Sequence, residues 1–123
     1  MKKDISGKED VIRMVDEFYN RIRKDNLLAP LFIHHVKDPV THLKLMYEFW
    51  ENVIFFSGNY AGNPMNAHVR VHKETPLEIQ HFIRWNVLFN ATVDDLFSGK
   101  HAEMVKQKAN SISAIIQLKL LKG

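Results

Sequence analysis

The sequence predicts an all-α protein in which long helices are joined by short loops. Apolar residues recur at helical spacing over most of the chain, and proline and glycine divide it into separate helical runs. No run is convincing as a strand, because the apolar stretch at 53–56 lies within a longer helical period. We therefore expect helices packed at an angle or antiparallel to one another.

The first predicted helix extends from about Lys8 to Lys24, and a short helical segment from Leu27 to His34 follows it. Pro30 lies near the start of the short segment, where proline is tolerated. The apolar residues of the first helix share one face, which identifies the side expected to be buried. They are Val11, Ile12, Val15, Phe18, Tyr19 and Ile22.

The next helix has a clear start, with Asp38 as N-cap and Pro39 at the first helical position. A broad apolar stripe follows, made of His42, Leu43, Met46, Phe49, Trp50 and Val53. Gly58 is expected to end this helix as a left-handed cap. From Gly62 to about His72 we expect a loop and a short helix, in which His68 comes one turn after Pro64.

The capping box Thr75-Pro76-Leu77-Glu78 predicts the start of another helix, with Pro76 at its first position. This helix reaches Leu96 or Phe97 and carries Leu77, Phe82, Trp85, Leu88, Phe89 and Val93. Ser98 and Gly99 interrupt the pattern. The last helix extends from about Lys100 to Leu121, with Val105, Ala109, Ile112 and Ile116 along its seam.

Composition limits the possible functions. At 123 residues with 46% apolar and 25% charged residues, the chain is expected to form a single domain, residues 1–123. No segment has the pattern of a signal peptide or a membrane span, and the lack of cysteine is typical of a cytoplasmic protein. Although the pI is about 9.2, the net charge is only +3 and no basic cluster occurs, so neither nucleic acid nor a membrane is an expected partner.

Three of the seven histidines are candidates for chemistry. His42 lies on the apolar face of its helix, where it is either a half-buried structural histidine or a site residue. His68 and His72 are spaced i, i+4, which permits a zinc site, although no HExxH glutamate is present between them. Tyr19 and Trp85 each bring a hydrogen-bond donor into an apolar face. These two donors and His42, on three helices, could converge on one polar ligand.

The pattern as a whole resembles the truncated haemoglobins, specifically group III of this bacterial globin family, over nearly the whole chain. The elements that carry the resemblance are Phe18-Tyr19 with Arg23-Lys24-Asp25, His42, Phe49-Trp50, the turn Gly58-Asn59-Tyr60-Ala61-Gly62-Asn63-Pro64 that ends in His68, and His81-Phe82-Ile83-Arg84-Trp85. Their order and spacings are similar to those of the family. The resemblance implies a truncated globin fold, a helical sandwich around haem b.

The resemblance also implies individual roles. His68 matches the proximal histidine that binds the haem iron, and His72 is its rival for that position. Tyr19, His42 and Trp85 match the distal residues. Met46, Phe49 and Trp50 would line the pocket, and Tyr60, Arg70 and Lys73 are candidates for contacts with the haem propionates.

Four functions remain open from the sequence. The first is a haem protein that binds O₂, NO or CO, with the ligand hydrogen-bonded by Tyr19 and Trp85. The second is a haem enzyme, a peroxidase, NO dioxygenase or nitrite reductase, supplied with electrons by an external reductase. The third is a globin-fold sensor module without haem, and the fourth is a zinc or other metal site built on His68 and His72.

Overall fold

A computed structural model describes residues 2–56, 72 and 76–121 of the chain. Within these residues there are helices and no strands, which confirms the predicted all-α class. The helices are α1 (Lys8–Lys24), α2 (Ala29–His35), α3 (Pro39–Phe55), α4 (Ile79–Leu96) and α5 (Lys100–Leu121). None of the described helices is long and apolar enough to cross a membrane.

Helix α1 has the predicted bounds and lies at the centre of the packing, in contact with α2, α3 and α4. Its inner face is almost completely shielded from solvent. The buried side chains are Val11, Met14, Val15, Phe18, Tyr19 and Ile22. Met14 therefore takes an inner position that the sequence pattern gave to Ile12, which is only half-buried.

Helix α3 begins as predicted, since the Asp38 carboxylate accepts a hydrogen bond from the Thr41 N–H at 3.2 Å. Its predicted end is wrong. The helix stops at Phe55, and the left-handed residue is Phe56, with φ of 55°. The Phe56 N–H still closes the last turn on the Asn52 carbonyl at 2.9 Å, and the residue as a whole is 85% exposed. The helix thus ends before Gly58, which lies outside the described residues.

The predicted start of α4 at Pro76 is also wrong. Leu77 is buried against Phe82 and Ile116, and its N–H donates to Nδ1 of His72 at 2.9 Å. Because this inward contact and hydrogen bond hold Leu77 outside the helix, the helix begins at Ile79, three residues after Pro76. The N-cap is Glu78, whose backbone N–H donates to the Nδ1 atom of His81 at 2.9 Å.

The N-terminal segment crosses to the start of α5 and caps it. The Asp4 carboxylate accepts the N–H groups of His101 and Ala102, both at 2.9 Å. Gly99 has φ of +144°, and a Cβ there would lie 2.5 Å from Cγ of Asp4. Glycine at this position therefore permits both the backbone conformation and the close approach of Asp4. Beside this contact Ile5 is buried in the core.

We expect Asp4→Ala to lower the free energy of unfolding by about 1–2 kcal/mol, because two N–H groups at the start of α5 lose their acceptor. Urea unfolding followed by circular dichroism measures the change. Lys3→Ala is the matched control, since the Lys3 side chain is 70% exposed and forms an ion pair with Asp10, and the backbone carbonyl of Lys3 that accepts the Ser98 N–H is retained. Equal destabilisation by both variants would show that the cap is not the cause.

Candidate functional site

Tyr19 and His42 meet where α1 faces α3. Their ring centroids are 5.1 Å apart, with the rings edge to face at 88°. Phe32 of α2 touches both, at 5.4 Å from Tyr19 and 5.9 Å from His42. The structure therefore brings together two of the three predicted polar residues and adds a neighbour, Phe32, that sequence reasoning missed. Its position two residues after Pro30 in an apolar segment was the available signal.

Trp85 joins this group through Phe18. The fully buried Phe18 ring contacts Tyr19 at 5.1 Å and Trp85 at 5.3 Å between centroids. Trp85 also stacks on Phe89, with 2° between the ring planes. Tyr19, His42 and Trp85, on three different helices, thus border one aromatic cluster. Their distal roles are not tested by these contacts and stay predictions.

Burial raises the pKa of the Tyr19 phenol above its ordinary value, because the phenolate would lie in an apolar environment. Tyr19 is only 8% exposed. At neutral pH Tyr19 is therefore an O–H donor inside an aromatic wall. Such a group can stabilise a ligand that carries partial negative charge.

The predicted lining residues differ in their surroundings. Met46 and Phe49 are half-buried and pack against the main core, so part of each side chain remains accessible. Trp50 is 4% exposed and stacks on Phe89 at 4.9 Å, which makes it a core residue as well as a candidate for the lining. Their contact with a cofactor stays a prediction.

The proposed proximal side falls largely outside the described residues. His68, Tyr60, Arg70 and Lys73 all lie there, together with the turn that precedes His68. His72 is described: it is helical, and its Nδ1 accepts the Leu77 N–H. Within residues 2–56, 72 and 76–121, no three His, Cys, Asp or Glu side chains form a candidate metal site. A site that includes His68 is not tested by that search.

Asp25 and Arg84 form an ion pair beside the candidate site that sequence reasoning did not predict. Arg84 Nε donates to the Asp25 carboxylate at 2.6 Å, and the Asp25 side chain is only 3% exposed. Burial alone would raise the pKa of Asp25. The hydrogen bond from Arg84 and the N–H groups of Leu28 and Leu27 outweigh that effect and hold its pKa below the ordinary value.

The family model of bacterial-like globins matches residues 3–117 of the chain. The group 3 truncated hemoglobin ctb of Campylobacter jejuni is 24% identical over 126 residues, which cover 99% of this chain and 97% of that protein. The solved group III truncated hemoglobin of Campylobacter jejuni superposes with a TM-score of 0.86 at 24% identity, covering 98% of this chain and 95% of the other. These matches confirm the family resemblance and the truncated globin fold.

The lowered pKa of Asp25 predicts an acid dependence of stability. The ionised Asp25 carboxylate contributes fully to the free energy of unfolding above about pH 5, which lies above its unfolded-state pKa. This contribution is lost as the pH falls through the folded-state pKa. In urea unfolding between about pH 6 and pH 3, Asp25→Asn should therefore show a flatter pH dependence than the wild type. Arg84→Gln should lie between them, because the backbone N–H groups remain. Parallel curves for all three proteins would contradict the assignment.

Proposed function

The chain belongs to the bacterial-like globin family, and on that premise we propose that it binds haem b through the imidazole of His68 and holds a diatomic ligand on the opposite face of the iron. The ligand class is O₂, NO or CO. When bound, haem would supply an iron atom able to bind a diatomic ligand. The protein supplies the pocket, the proximal imidazole and the hydrogen-bond donors.

The observation that carries this proposal is the meeting of Tyr19, His42 and Trp85 at one aromatic cluster. Tyr19 and His42 are in edge-to-face contact, and Phe18 touches both Tyr19 and Trp85. A polar residue from each of three helices in an otherwise apolar wall is typical of a site that orients a small polar ligand.

The division of the core also fits a flat apolar cofactor. The buried side chains among the described residues form a large cluster around α1 and a small separate one made of Leu77, Phe82 and Ile116. Leu31 packs against both clusters, and the nearby apolar residues Met46, Phe49 and Trp85 are only half-buried. Haem between α3 and the start of α4 would cover these side chains and join the two clusters.

The hydrogen bond of His72 supports His68 as the proximal residue. A histidine that binds iron through Nε2 keeps its proton on Nδ1 and donates it to a neighbouring acceptor. In His72 the Nδ1 atom accepts the Leu77 N–H, so this nitrogen carries no proton in the neutral ring. His72 is thus held in the tautomer that leaves Nε2 protonated and unsuitable as a ligand.

We propose two hydrogen-bond donors to the bound ligand, the Tyr19 hydroxyl and the Trp85 indole N–H. A hydrogen bond to a charged group contributes about 1.5–3 kcal/mol, which corresponds to roughly ten- to a hundredfold slower ligand release. Slow release suits sensing, scavenging or redox chemistry better than bulk oxygen delivery. We further propose that the protein acts in the cytoplasm and that an external reductase keeps the iron ferrous.

Titration with haemin tests the cofactor and the proximal ligand together. The wild type should give a sharp Soret band, which shifts with CO after reduction. His68→Ala should abolish the Fe–N(His) stretching band in resonance Raman spectra, and added imidazole should restore a ligated spectrum. His72→Ala, the matched control, should keep the band, although it loses the acceptor of the Leu77 N–H. Loss of the band in His72→Ala alone would transfer the proximal role to His72.

Stopped-flow measurement of O₂ dissociation tests the distal donors. Tyr19→Phe keeps the ring and its packing but removes the hydroxyl, so the dissociation rate should rise about ten- to a hundredfold. Tyr47→Phe is the matched control, because the Tyr47 hydroxyl donates to Asp16 at the surface. Equal rates in Tyr19→Phe and the wild type would remove Tyr19 from the list of donors.

A further inference from the structure

One buried carboxylate connects three elements around the aromatic cluster. Asp25 Oδ1 accepts from Nε of Arg84 at 2.6 Å. Asp25 Oδ2 accepts the backbone N–H groups of Leu27 at 3.1 Å and Leu28 at 3.0 Å. Both oxygens are therefore engaged, one with α4 and the other with the turn between α1 and α2. The Asp25 backbone contributes as well, since its carbonyl accepts the Ala29 N–H at 2.9 Å.

Each of these elements carries an aromatic residue of the candidate site. Tyr19 lies on α1, which ends immediately before Asp25. Phe32 lies on α2, which begins at Ala29 after the turn that Asp25 caps. Trp85 is the next residue after Arg84 on α4. The ion pair is thus the polar connection between the helix of the Tyr19 donor and the helix of the Trp85 donor at this end of the cluster.

A directional contact at this place matters because apolar packing fixes distances less strictly than hydrogen bonding does. The Trp85 ring is held by Phe18 and Phe89, and such ring contacts tolerate small displacements. A short hydrogen bond between charged groups is stronger and more directional. Donors at a functional site must be held within about 0.5 Å and 10–20° of their working geometry.

We propose that the Asp25–Arg84 ion pair is a positioning device that fixes the Trp85 indole relative to the Tyr19 hydroxyl, and so determines how well the two donors act on one ligand. Arg84 itself is directed to Asp25 and is 47% exposed, so it acts through Trp85 and is a positioning residue. The expected effect on ligand release rests on the proposed function. The positioning of the Trp85 indole by the ion pair does not depend on haem.

The structure offers a matched control for the test. Arg21 Nη2 binds Asp95 Oδ2 at 2.9 Å, which joins α1 to α4 near the far end of α4, whereas Asp25 joins the end of α1 to the start of α4. Arg84→Gln and Arg21→Gln therefore remove the same charge and an Arg–Asp ion pair to α4, but only Arg84 adjoins Trp85. Arg84→Lys keeps the charge and loses the planar guanidinium, so partial rescue is expected from it.

In the haem-loaded protein, Arg84→Gln should raise the O₂ dissociation rate about three- to tenfold. It should also broaden or shift the C–O stretching band of the CO complex, while the proximal Fe–N(His) band stays unchanged. Arg84→Lys should lie within about twofold of the wild-type rate, and Arg21→Gln should be indistinguishable from the wild type in both readouts. Equal effects of Arg84→Gln and Arg21→Gln, or no effect of either, would overturn the proposal.

A readout without haem separates this inference from the proposed function. The chain has two tryptophans, so a Trp50→Phe background assigns the remaining indole N–H resonance in a ¹H–¹⁵N spectrum to Trp85. Arg84→Gln should shift or broaden that resonance, and Arg21→Gln should leave it in place. If the wild type retains no haem, the proposed function fails and this resonance alone decides the positioning role. An unmoved Trp85 resonance in Arg84→Gln refutes it.

Discussion

The contacts of Phe18 are the interaction on which the rest of this structure depends. The ring is fully buried and meets Tyr19, Trp85 and Phe89 edge to face, at 5.1–5.3 Å between centroids. One side chain thus joins α1 to α4 and contacts the rings of both proposed donors. Truncating a buried phenylalanine costs about 3–5 kcal/mol, a large part of the stability of an ordinary domain of about 5–15 kcal/mol.

The helices that could be predicted from the sequence are those with a long apolar period. Helices α1 and α5 have the predicted bounds, because their inner faces repeat over several turns. The errors occur at ends where a local signal competes with a tertiary contact. Pro76 is a good first helical residue, but burial of Leu77 against Ile116 delays the start of α4. Likewise, Phe56 takes the left-handed position that glycine ordinarily fills, because its N–H completes the last turn of α3.

The candidate site was predictable to the extent that it resembles a known family. The positions of Tyr19, His42 and Trp85 on apolar helix faces predict that they could converge, the resemblance implies their distal roles, and the structure brings them to one cluster. The Asp25–Arg84 pair had no such signal, since a contact between residues far apart in the chain leaves no periodic pattern. The tautomer of His72 was equally inaccessible, because it depends on the direction of one backbone N–H. The role of His68 stays a prediction that rests on the resemblance, in which the spacing from Pro64 to His68 matches the family pattern.

The cap that Asp4 places on α5 has a consequence for how the molecule folds. The acceptor and the helix it completes are separated by nearly the whole chain, as the Asp4 contact with His101 shows. Such a contact does not stabilise the chain until the intervening segments have come together. The entropy cost of closing this loop is therefore offset only late in folding. During synthesis the acceptor emerges well before the helix that it caps. We therefore expect the segment around Asp4 and the start of α5 to open and close as one cooperative unit in hydrogen exchange.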